Sequence, residues 1–396
     1  MSRVVMKFGG SSVATSEKMK KVSELILKRK SEYDDVVVVV SAMGKTTNNL
    51  IALANELSDE PNKRDMDMLL STGEMVSASL ISIYLNSVGH KAIALTGFQS
   101  GFKTIGEYSK SRIEKVDTER LESELNDGKI VIVTGFQGMN ELGDITTLGR
   151  GGSDTSAVAL AASLDASCEI YTDVKGIYTV DPRIRPKARK LEYITYEETM
   201  EMANLGAKVI EPRSVEMASK YSVPLYIALN TGDVKGTYIS TEVDNLEKSA
   251  ITNISKIDGV LLVSMSEQLG VDSKITECFV ELAVQNINLD IISHSLDDEG
   301  KPITSFTSTV DNKSKIDSIL NNMDIKHRFT EDVSKVSIIG TAMRNQVGVA
   351  ARAFKVFLSE NVDFYEVSTS EISISYVVDS VNALKIVNAL ADEFNL

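Results

Sequence analysis

Two glycine-rich segments combine a cation, hydroxyl groups and open backbone, and this combination is typical of phosphate binding. The first segment reads Lys7-Phe8-Gly9-Gly10-Ser11-Ser12 and links an apolar run to a predicted helix. Adjacent glycines leave backbone N–H groups open to an anion, and the lysine supplies a positive charge. The second segment reads Gly149-Arg150-Gly151-Gly152-Ser153-Asp154 and also opens onto a predicted helix. Two such segments with one cation each predict a site that brings two anionic groups together, as phosphoryl transfer requires.

Most of these residues also have a purely structural interpretation. Lys7 could be a surface lysine at a strand end, and Ser153 and Asp154 are favoured helix N-cap residues. Capping and ligand binding are compatible, because a helix N-terminus offers more N–H donors than one cap uses. Arg150 is harder to explain structurally, since a planar guanidinium among glycines suits a carboxylate or a phosphate.

Three further segments carry polar groups that could reach the same site. An S-x-x-E capping box fits Ser71-Thr72-Gly73-Glu74, and the alternative is that Glu74 faces the cleft and pairs with a cation. Asp173 and Arg183 follow a predicted strand and could face a nucleotide. Gly44-Lys45-Thr46 resembles the end of a P-loop motif. However, Val39 stands where the first glycine of that motif should be, so the spacing excludes a P-loop.

The composition is that of a globular protein with more than one domain. The chain has 396 residues, of which 43% are hydrophobic and 25% charged, and this length predicts two or three compact units. A net charge of −14 argues against a nucleic-acid partner, whose affinity depends on neutralised phosphates. Two cysteines and three scattered histidines offer neither a zinc cluster nor a Ser-His-Asp triad. Because no run of about 20 apolar residues occurs and the N-terminus reads as a strand, we expect a cytoplasmic protein with no membrane partner.

The first half of the chain alternates strands and helices. Five apolar runs are predicted strands: residues 4–6, 36–40, 92–95, 130–134 and 168–172. Helical stretches such as 67–87 and 155–164 lie between them. The valines at 36–40 show no polar alternation, so that strand must be covered on both faces. This half is predicted to be a doubly wound α/β domain with a mainly parallel sheet, whose ligands lie at the carboxyl ends of the strands.

The second half contains an internal repeat at an offset of 75 residues. Matching pairs include Leu261 with Val336, Phe279 with Phe354, and Ser293 with Ser368. Each copy reads as a strand, a helix and another strand, which predicts paired sheets with a small-ligand interface. The domain boundary is predicted in the polar stretch near residues 237–249.

Together these segments resemble the aspartokinases, which have the amino acid kinase fold. The resemblance covers essentially the whole chain and rests on six motifs in one order, at residues 7–12, 40–47, 71–74, 149–154, 172–183 and 206–209. The repeat resembles paired ACT modules, the amino-acid-sensing units of that family, most clearly at residues 348–352 and 368–372. The implied organisation is a kinase domain at 1–236, a linker at 237–250 and two ferredoxin-like α+β ACT modules within 251–396. These modules would occupy about 251–325 and 326–396, in consecutive or interleaved order.

The resemblance implies that ATP phosphorylates the side-chain carboxylate of L-aspartate to give 4-phospho-L-aspartate, the first step toward lysine, threonine and methionine. It also implies Mg²⁺ bound through the ATP phosphates, and inhibition by an end-product amino acid, with lysine favoured and threonine a second candidate. A carboxylate nucleophile is already ionised at pH 7, so the lack of a candidate general base agrees with this chemistry. ACT modules usually pair across subunits, which implies a homodimer or a dimer of dimers.

The same resemblance assigns roles to residues. Lys7 and Lys208 would stabilise the transferred phosphoryl group, and Asp154 would orient these lysines and the phosphates. The implied ATP-binding set is Gly9, Gly10, Ser11, Thr172, Asp173, Tyr178, Asp181, Arg183, Lys208 and Val209. The implied aspartate-binding set is Ser41, Thr47, Glu74, Arg150 and Ser153. The implied effector-binding set is Gln268, Val271, Asn288, Leu289 and Asp290.

The chain departs from the family pattern at two places. The family commonly has His-Pro where this chain has Glu211-Pro212, which alters the surroundings of Lys208. The first repeat lacks the usual Pro-Gly before its helix and looks closer to the lysine-sensitive enzymes.

A kinase acting on glutamate or acetylglutamate is a second interpretation of the function, and the paired repeat argues against acetylglutamate. A catalytically silent ACT-type amino-acid sensor is a third, and the intact residues Lys7, Arg150, Asp154 and Lys208 argue against it.

Overall fold

The computed structural model describes residues 2–207, 209–241, 251–266, 274–296, 300 and 302–396. It divides into two compact units. The first comprises Met1–Tyr178, Lys190–Asn204 and Lys208–Leu246, and the second comprises Thr179–Arg189, Leu205–Ala207 and Glu247–Leu396. Two short stretches that the sequence analysis placed in the kinase domain therefore belong to the second unit.

The first unit contains the alternating strands and helices that the sequence predicts. Its strands are β1 (Arg3–Phe8), β2 (Asp35–Val40), β3 (Ala92–Leu95), β4 (Phe102–Ile105), β5 (Arg112–Val116), β6 (Ile130–Thr134), β7 (Gln137–Met139), β8 (Ile145–Thr147), β9 (Ser167–Thr172), β10 (Tyr193–Thr195), β11 (Leu225–Leu229) and β12 (Thr237–Ser240). Its helices are α1 (Ser16–Glu32), α2 (Thr46–Leu57), α3 (Lys63–Ser87), α4 (Glu119–Asn126), α5 (Gly152–Ser163), α6 (Tyr196–Asn204) and α7 (Pro212–Lys220).

The main sheet has the strand order β10-β12-β11-β9-β1-β2-β6-β3. From β11 to β3 the strands are parallel, and β12 and β10 run antiparallel to them at one edge. Every residue of β2 and β6 is buried, as their unbroken apolar runs require. The predicted doubly wound, mainly parallel sheet is confirmed. The chain runs from β1 to β2 on one side and returns to β9 on the other, so the carboxyl end of β1 marks the switch point where ligands bind in such sheets.

Helix α3 begins four residues before its predicted start because Asn62 caps it, accepting hydrogen bonds from two backbone N–H groups of the first turn. The capping-box interpretation of residues 71–74 is therefore wrong, since they lie in the middle of the helix. Among the described residues, α3 is the helix long and apolar enough by composition to cross a membrane. Half of that apolar stretch is buried, and α3 packs against β3, β6 and β8. The buried half of this stretch thus belongs to the interior of the first unit, whereas Met68, Val76, Leu80 and Ile83 are exposed.

Strand β12 pairs with β10 and β11 and extends the main sheet to Ser240. The predicted linker at 237–250 thus begins with a strand of the first unit, and residues 242–250 lie outside the described part of the chain. A smaller sheet has the order β5-β4-β7-β8, and its last strand, β8, leads into the second glycine-rich segment.

The second unit is an antiparallel sheet with helices. Its strands are β13 (Asn253–Ser266), β14 (Ile292–Leu296), β15 (Pro302–Thr309), β16 (Lys326–Ile339), β17 (Glu366–Thr369) and β18 (Ser373–Asp379). Its α-helices are α8 (Lys274–Val284), α9 (Lys313–Asn322), α10 (Val349–Ser359) and α11 (Ser380–Glu393), with short 3-10 helices at Val310–Asn312 and Thr341–Asn345. The strand order is β14-β15-β13-β16-β18-β17.

The internal repeat corresponds to two series of strand, helix, strand, strand and helix, which begin at β13 and β16. The long strand β13 takes part in both series. Its residues 260–266 pair with β15 of the first series, and its residues 253–257 pair with residues 335–339 of β16, which begins the second series. A register shift between Ile257 and Val260 separates the two halves. Helices α8 and α9 contribute to one apolar cluster and α10 and α11 to another. The two copies are thus interleaved through shared strands.

Candidate active site

The loops that follow β1 and β2 are bonded together at the switch point of the sheet. Gly44 N–H donates to Gly10 O at 2.9 Å, and Ser41 N–H donates to Phe8 O at 3.1 Å. A Cβ added at Gly10 would lie 2.6 Å from Ala42 O. Glycine is therefore required at position 10 by the close approach of two backbones, in addition to any contact with an anion.

Lys7 and Asp154 form an ion pair between the two glycine-rich segments. Lys7 Nζ lies 2.5 Å from Asp154 Oδ1, and both side chains are largely buried. Lys7 projects from the central strand β1, and Asp154 lies in the first turn of α5. A Cβ at Gly9 would lie 3.7 Å from Lys7 Nζ, so the ammonium adjoins bare backbone. Burial strengthens the field of this pair relative to the same charges in water.

The second segment begins α5 with left-handed glycines. Gly149 has φ of +78° and Gly151 has φ of +69°, and Gly151 is the N-cap of α5. The N-cap interpretation of Ser153 and Asp154 is therefore wrong, because both lie inside the first helical turn. Arg150 is exposed and has no hydrogen bond or salt bridge to any other described residue. Its five guanidinium donors thus remain available to an anionic ligand.

Glu74 is buried with one carboxylate oxygen unsatisfied. Its Oε1 accepts a hydrogen bond of 3.0 Å from Ala42 N–H, whereas Oε2 has no partner within the described residues. Burial raises the pKa of Glu74 to about 7, although the Ala42 hydrogen bond lowers it. Helix α3 approaches this loop closely at Gly73, and Ser77 Oγ donates to Ser41 O at 2.8 Å. A buried acceptor without a donor is costly, so Glu74 is a candidate for binding a cationic ligand group.

The end of β9 is joined to the first segment by a residue that sequence reasoning missed. Asn230 N–H donates to Thr172 O at 2.8 Å, and Asn230 Nδ2 donates to Ser12 Oγ at 2.8 Å. Asn230 directly follows the apolar strand β11, and a polar residue at that position was an available signal. Thr172 Oγ1 in turn donates to Asp173 Oδ1 at 3.1 Å.

The remaining predicted ligand residues are distributed as follows. Half-buried residues of the first unit are Ser41, Thr47, Tyr178 and Val209; Ser11 and Asp173 are exposed and Ser153 is buried. Asp181 and Arg183 lie in the second unit, where they form a 2.6 Å salt bridge that lowers the pKa of Asp181. Lys208, Gln268 and Val271 lie outside the described residues.

Glu211 lies beside the second segment, although sequence reasoning assigned it no role. A Cβ at Gly151 would lie 2.4 Å from Glu211 Oε2, so this side chain covers the glycine. Burial and the nearby charge of Asp154 raise the pKa of Glu211, while Arg150 and Arg213 lower it. The carboxyl group of Glu211 is thus electrostatically coupled to Asp154 and Arg150.

Three predicted effector residues fall in the second unit, just before β14. Asp290 forms an ion pair with Lys335, whose side chain is 2% exposed, while that of Asp290 is half exposed. Asn288 O accepts a hydrogen bond of 2.9 Å from Ser308 Oγ, and Leu289 packs against the first repeat's apolar cluster. The ammonium group of Lys335 is thus paired with Asp290, the carboxylate that was expected to contact an effector.

The fold of the first unit is that of an amino acid kinase. The sequence model of the amino acid kinase family matches residues 2–229, and that of the ACT domain matches residues 336–394. The aspartokinase of Bacillus sp. (strain MGA3) is 42% identical over 402 residues, covering 100% of this chain and 98% of the relative. The chain therefore belongs to the aspartokinase family.

Solved structures show the same fold. E. coli aspartokinase III in complex with aspartate and ADP (R-state) matches with a TM-score of 0.83 at 24% identity, covering 99% of this chain and 100% of that one. The same enzyme in complex with lysine and aspartate (T-state) matches with a TM-score of 0.80 at 24% identity, covering 99% of each chain.

Proposed function

We propose that this chain transfers the γ-phosphoryl group of ATP to the side-chain carboxylate of L-aspartate, giving 4-phospho-L-aspartate and ADP. The observation that carries the proposal is the buried Lys7–Asp154 pair between two glycine-rich segments, the second of which also carries the exposed Arg150. Family membership supports the same reaction.

The reaction asks the protein to position two anions and to offset the charge that develops on the moving phosphoryl group. Lys7 and Lys208 would stabilise that charge, and the backbone of residues 9–11 would contact the phosphate oxygens. Asp154 holds the Lys7 ammonium in place through their 2.5 Å contact. The carboxylate nucleophile attacks phosphorus without losing a proton, so the site needs no general base.

Aspartate would bind through charges at both ends. Arg150 and Ser153 would hold a carboxylate of the substrate, with Ser41 and Thr47 nearby. The unsatisfied Oε2 of Glu74 would accept the substrate's ammonium group. A bound ammonium would pair with a carboxylate that is otherwise buried at a cost, so this contact favours an amino acid over a simple dicarboxylate.

Mg²⁺ is proposed as a cofactor carried by the phosphate oxygens of ATP. The described residues contain no group of three or more His, Cys, Asp or Glu side chains that could hold a metal ion. Asp154 is the carboxylate at the phosphate end of the site and fits an ion whose other ligands come from ATP and water. When bound, Mg²⁺ supplies positive charge that neutralises the phosphates.

Regulation is proposed to reside in the second unit, through two interleaved ACT modules that bind lysine. The half-exposed Asp290 supports this, because the ammonium of an effector could replace that of Lys335. Gln268, Val271, Asn288 and Leu289 complete the proposed effector set. We further propose that the product feeds the synthesis of lysine, threonine and methionine, and that modules pair across subunits in a homodimer or a dimer of dimers.

The direct test traps the acyl phosphate with hydroxylamine in the presence of ATP and Mg²⁺. Aspartate, glutamate and N-acetylglutamate are run in parallel, each with and without lysine. The proposal predicts a product from aspartate and a lower rate with lysine. A product formed mainly from glutamate would overturn the substrate assignment, and no product from any substrate would favour the amino-acid sensor.

A further inference from the structure

Helix α3 carries a second buried carboxylate, Asp67, that belongs to none of the motifs described above. Asp67 is fully buried. Its Oδ1 accepts hydrogen bonds from Ser109 Oγ at 3.1 Å and Thr147 Oγ1 at 2.7 Å. Its Oδ2 accepts from Ser109 N–H at 2.8 Å and Thr147 N–H at 2.9 Å. One carboxylate thus binds the backbone and the hydroxyl of two residues that are far apart in sequence.

Of the two residues bound by Asp67, Thr147 precedes the second glycine-rich segment in sequence and Ser109 packs against its first glycine. Thr147 ends β8, three residues before Arg150, and its carbonyl accepts a hydrogen bond of 3.0 Å from Ser111 N–H. Ser109 has φ of +68°, a left-handed conformation that non-glycine residues adopt at a cost. Ser109 O lies 3.1 Å from where a Cβ on Gly149 would be. The backbone that leads into Arg150 is therefore packed against a strained residue that Asp67 holds in place.

Asp67 and Glu74 lie seven residues apart on α3, which places them on one helix face about 10 Å apart along the axis. Glu74 faces the loop after β2, and Asp67 holds the segment that leads to Arg150. We propose that Asp67 is a positioning residue for substrate binding, which fixes the backbone of residues 147–150 at a set separation from Glu74. The inference rests on the proposed function, in which Glu74 and Arg150 hold the two charged ends of aspartate.

The test replaces Asp67 by Asn, which keeps the size but turns one acceptor into an NH2 group that faces two donors. The KM for aspartate should rise at least about tenfold, because misplaced contacts weaken binding of the group they hold. The KM for ATP should change less than about twofold, since Asp67 bonds no residue of the first segment. The matched control is Asp65→Asn, an exposed carboxylate on the same helix whose loss should leave both constants unchanged.

Two additional variants separate positioning from general destabilisation. Thr147→Val removes one hydroxyl donor and keeps Asp67, and it should raise the KM for aspartate in the same direction by a smaller factor. Ser109→Gly relieves the left-handed strain, so adding it to Asp67→Asn should recover part of the lost affinity for aspartate. Equal rises in both KM values, or a lower melting temperature with an unchanged KM for aspartate, would overturn the inference.

Hydrogen exchange of the substrate-free protein tests the same inference without any activity. Asp67→Asn should speed exchange of the Ser109 and Thr147 amides and of the segment 147–152, while the Asp65→Asn control should not. Unchanged exchange there would contradict the positioning role. If wild-type protein showed the expected protection and yet formed no product from aspartate, the proposed function would fail while the structural part of the inference stood.

Discussion

At the scale of single residues, the two buried carboxylates of the site differ in how their charge is compensated. Lys7 and Asp154 neutralise each other in a largely buried contact, whereas Glu74 has one oxygen satisfied by Ala42 and another without a donor. Burial with one oxygen unpaired disfavours the ionised form of a carboxyl group. The pKa of Glu74 therefore rises from 4.5 to about 7. The two carboxylates therefore differ: Asp154 pairs with a cation of the protein, and Glu74 is proposed to pair with a cation of the ligand.

The raised pKa of Glu74 predicts a pH-dependent stability. In the unfolded chain this carboxyl group ionises near pH 4.5, but in the folded protein it stays protonated until about pH 7. Glu74 therefore lowers the free energy of unfolding as pH rises from about 4.5 to 7, by about 3 kcal/mol in total, and contributes no further change above that. Glu74→Gln should remove this loss and be more stable than wild type at pH 8.

Denaturant unfolding of both proteins across pH 4–8, without substrate, measures the difference. Other acidic groups titrate equally in the two proteins, so the difference isolates Glu74. Parallel stability curves would contradict the assignment. The same variant should have a strongly raised KM for aspartate, since the amide cannot pair with an ammonium as a carboxylate does.

Lys7→Ala should lower kcat by about two to three orders of magnitude, as loss of a preorganised charge usually does. Lys21→Ala is the control, because Lys21 is an exposed lysine whose contact is an ion pair within α1. The steady-state rate of ADP formation measures both. A fall of less than about tenfold in Lys7→Ala would remove this lysine from the transition state.

At the scale of elements, the close approach of the loops after β1 and β2 leaves no room for a side chain at Gly10 but leaves room for one at Gly9. At Gly10 a Cβ would meet the backbone oxygen of Ala42 at 2.6 Å, a contact that no rotamer change can relieve. At Gly9 the nearest atom to a Cβ would be Lys7 Nζ at 3.7 Å, an ordinary contact. Adjacent glycines in one motif therefore have different physical requirements.

Substitution of each glycine by Ala should separate these requirements. Gly10→Ala should lower the free energy of unfolding by about 1–3 kcal/mol, because the loops after β1 and β2 must move apart. Gly9→Ala should keep near wild-type stability but bind ATP less tightly, since its methyl group would occupy the phosphate side of Lys7. Thermal unfolding with and without ATP compares them. Equal destabilisation of the two variants would contradict the distinction.

Sequence patterns predicted the elements whose signal is local. Strands β3 and β6 match their predicted bounds because apolar runs end at polar or glycine residues. The start of α3 was missed because its cap, Asn62, lies in a stretch that reads as a loop, and an S-x-x-E pattern further on imitates a cap. Contacts between distant segments could not be predicted, as with Asp67 and Thr147 or Asp290 and Lys335. The strands shared by both repeats depend on a register shift that composition does not reveal.

At the scale of the whole molecule, a kinase unit and a regulatory unit occur in one chain. The second unit pairs the half-exposed Asp290 with the buried ammonium of Lys335. If lysine binds there, its ammonium competes with a group of the protein itself. The proposed inhibition should then depend on both members of this pair, and in opposite directions.

Asp290→Asn should weaken inhibition by lysine while leaving the uninhibited rate within about twofold, because Asp290 belongs to the second unit. Lys335→Met should strengthen inhibition about tenfold, because the carboxylate would be free for the effector. Inhibition curves against lysine concentration measure both. Equal weakening in both variants would show that the pair is needed for folding and does not compete with the effector.

The central claim is that the site between the two glycine-rich segments phosphorylates the side-chain carboxylate of aspartate. The most direct measurement is the identity of the hydroxamate that wild-type protein forms from aspartate, ATP, Mg²⁺ and hydroxylamine, determined by mass spectrometry against synthetic standards. We predict the 4-hydroxamate of aspartate, since Arg150 would hold one carboxylate and Glu74 the ammonium while the other carboxylate faces Lys7. The 1-hydroxamate as the main product, or no hydroxamate above a Lys7→Ala control, would contradict it.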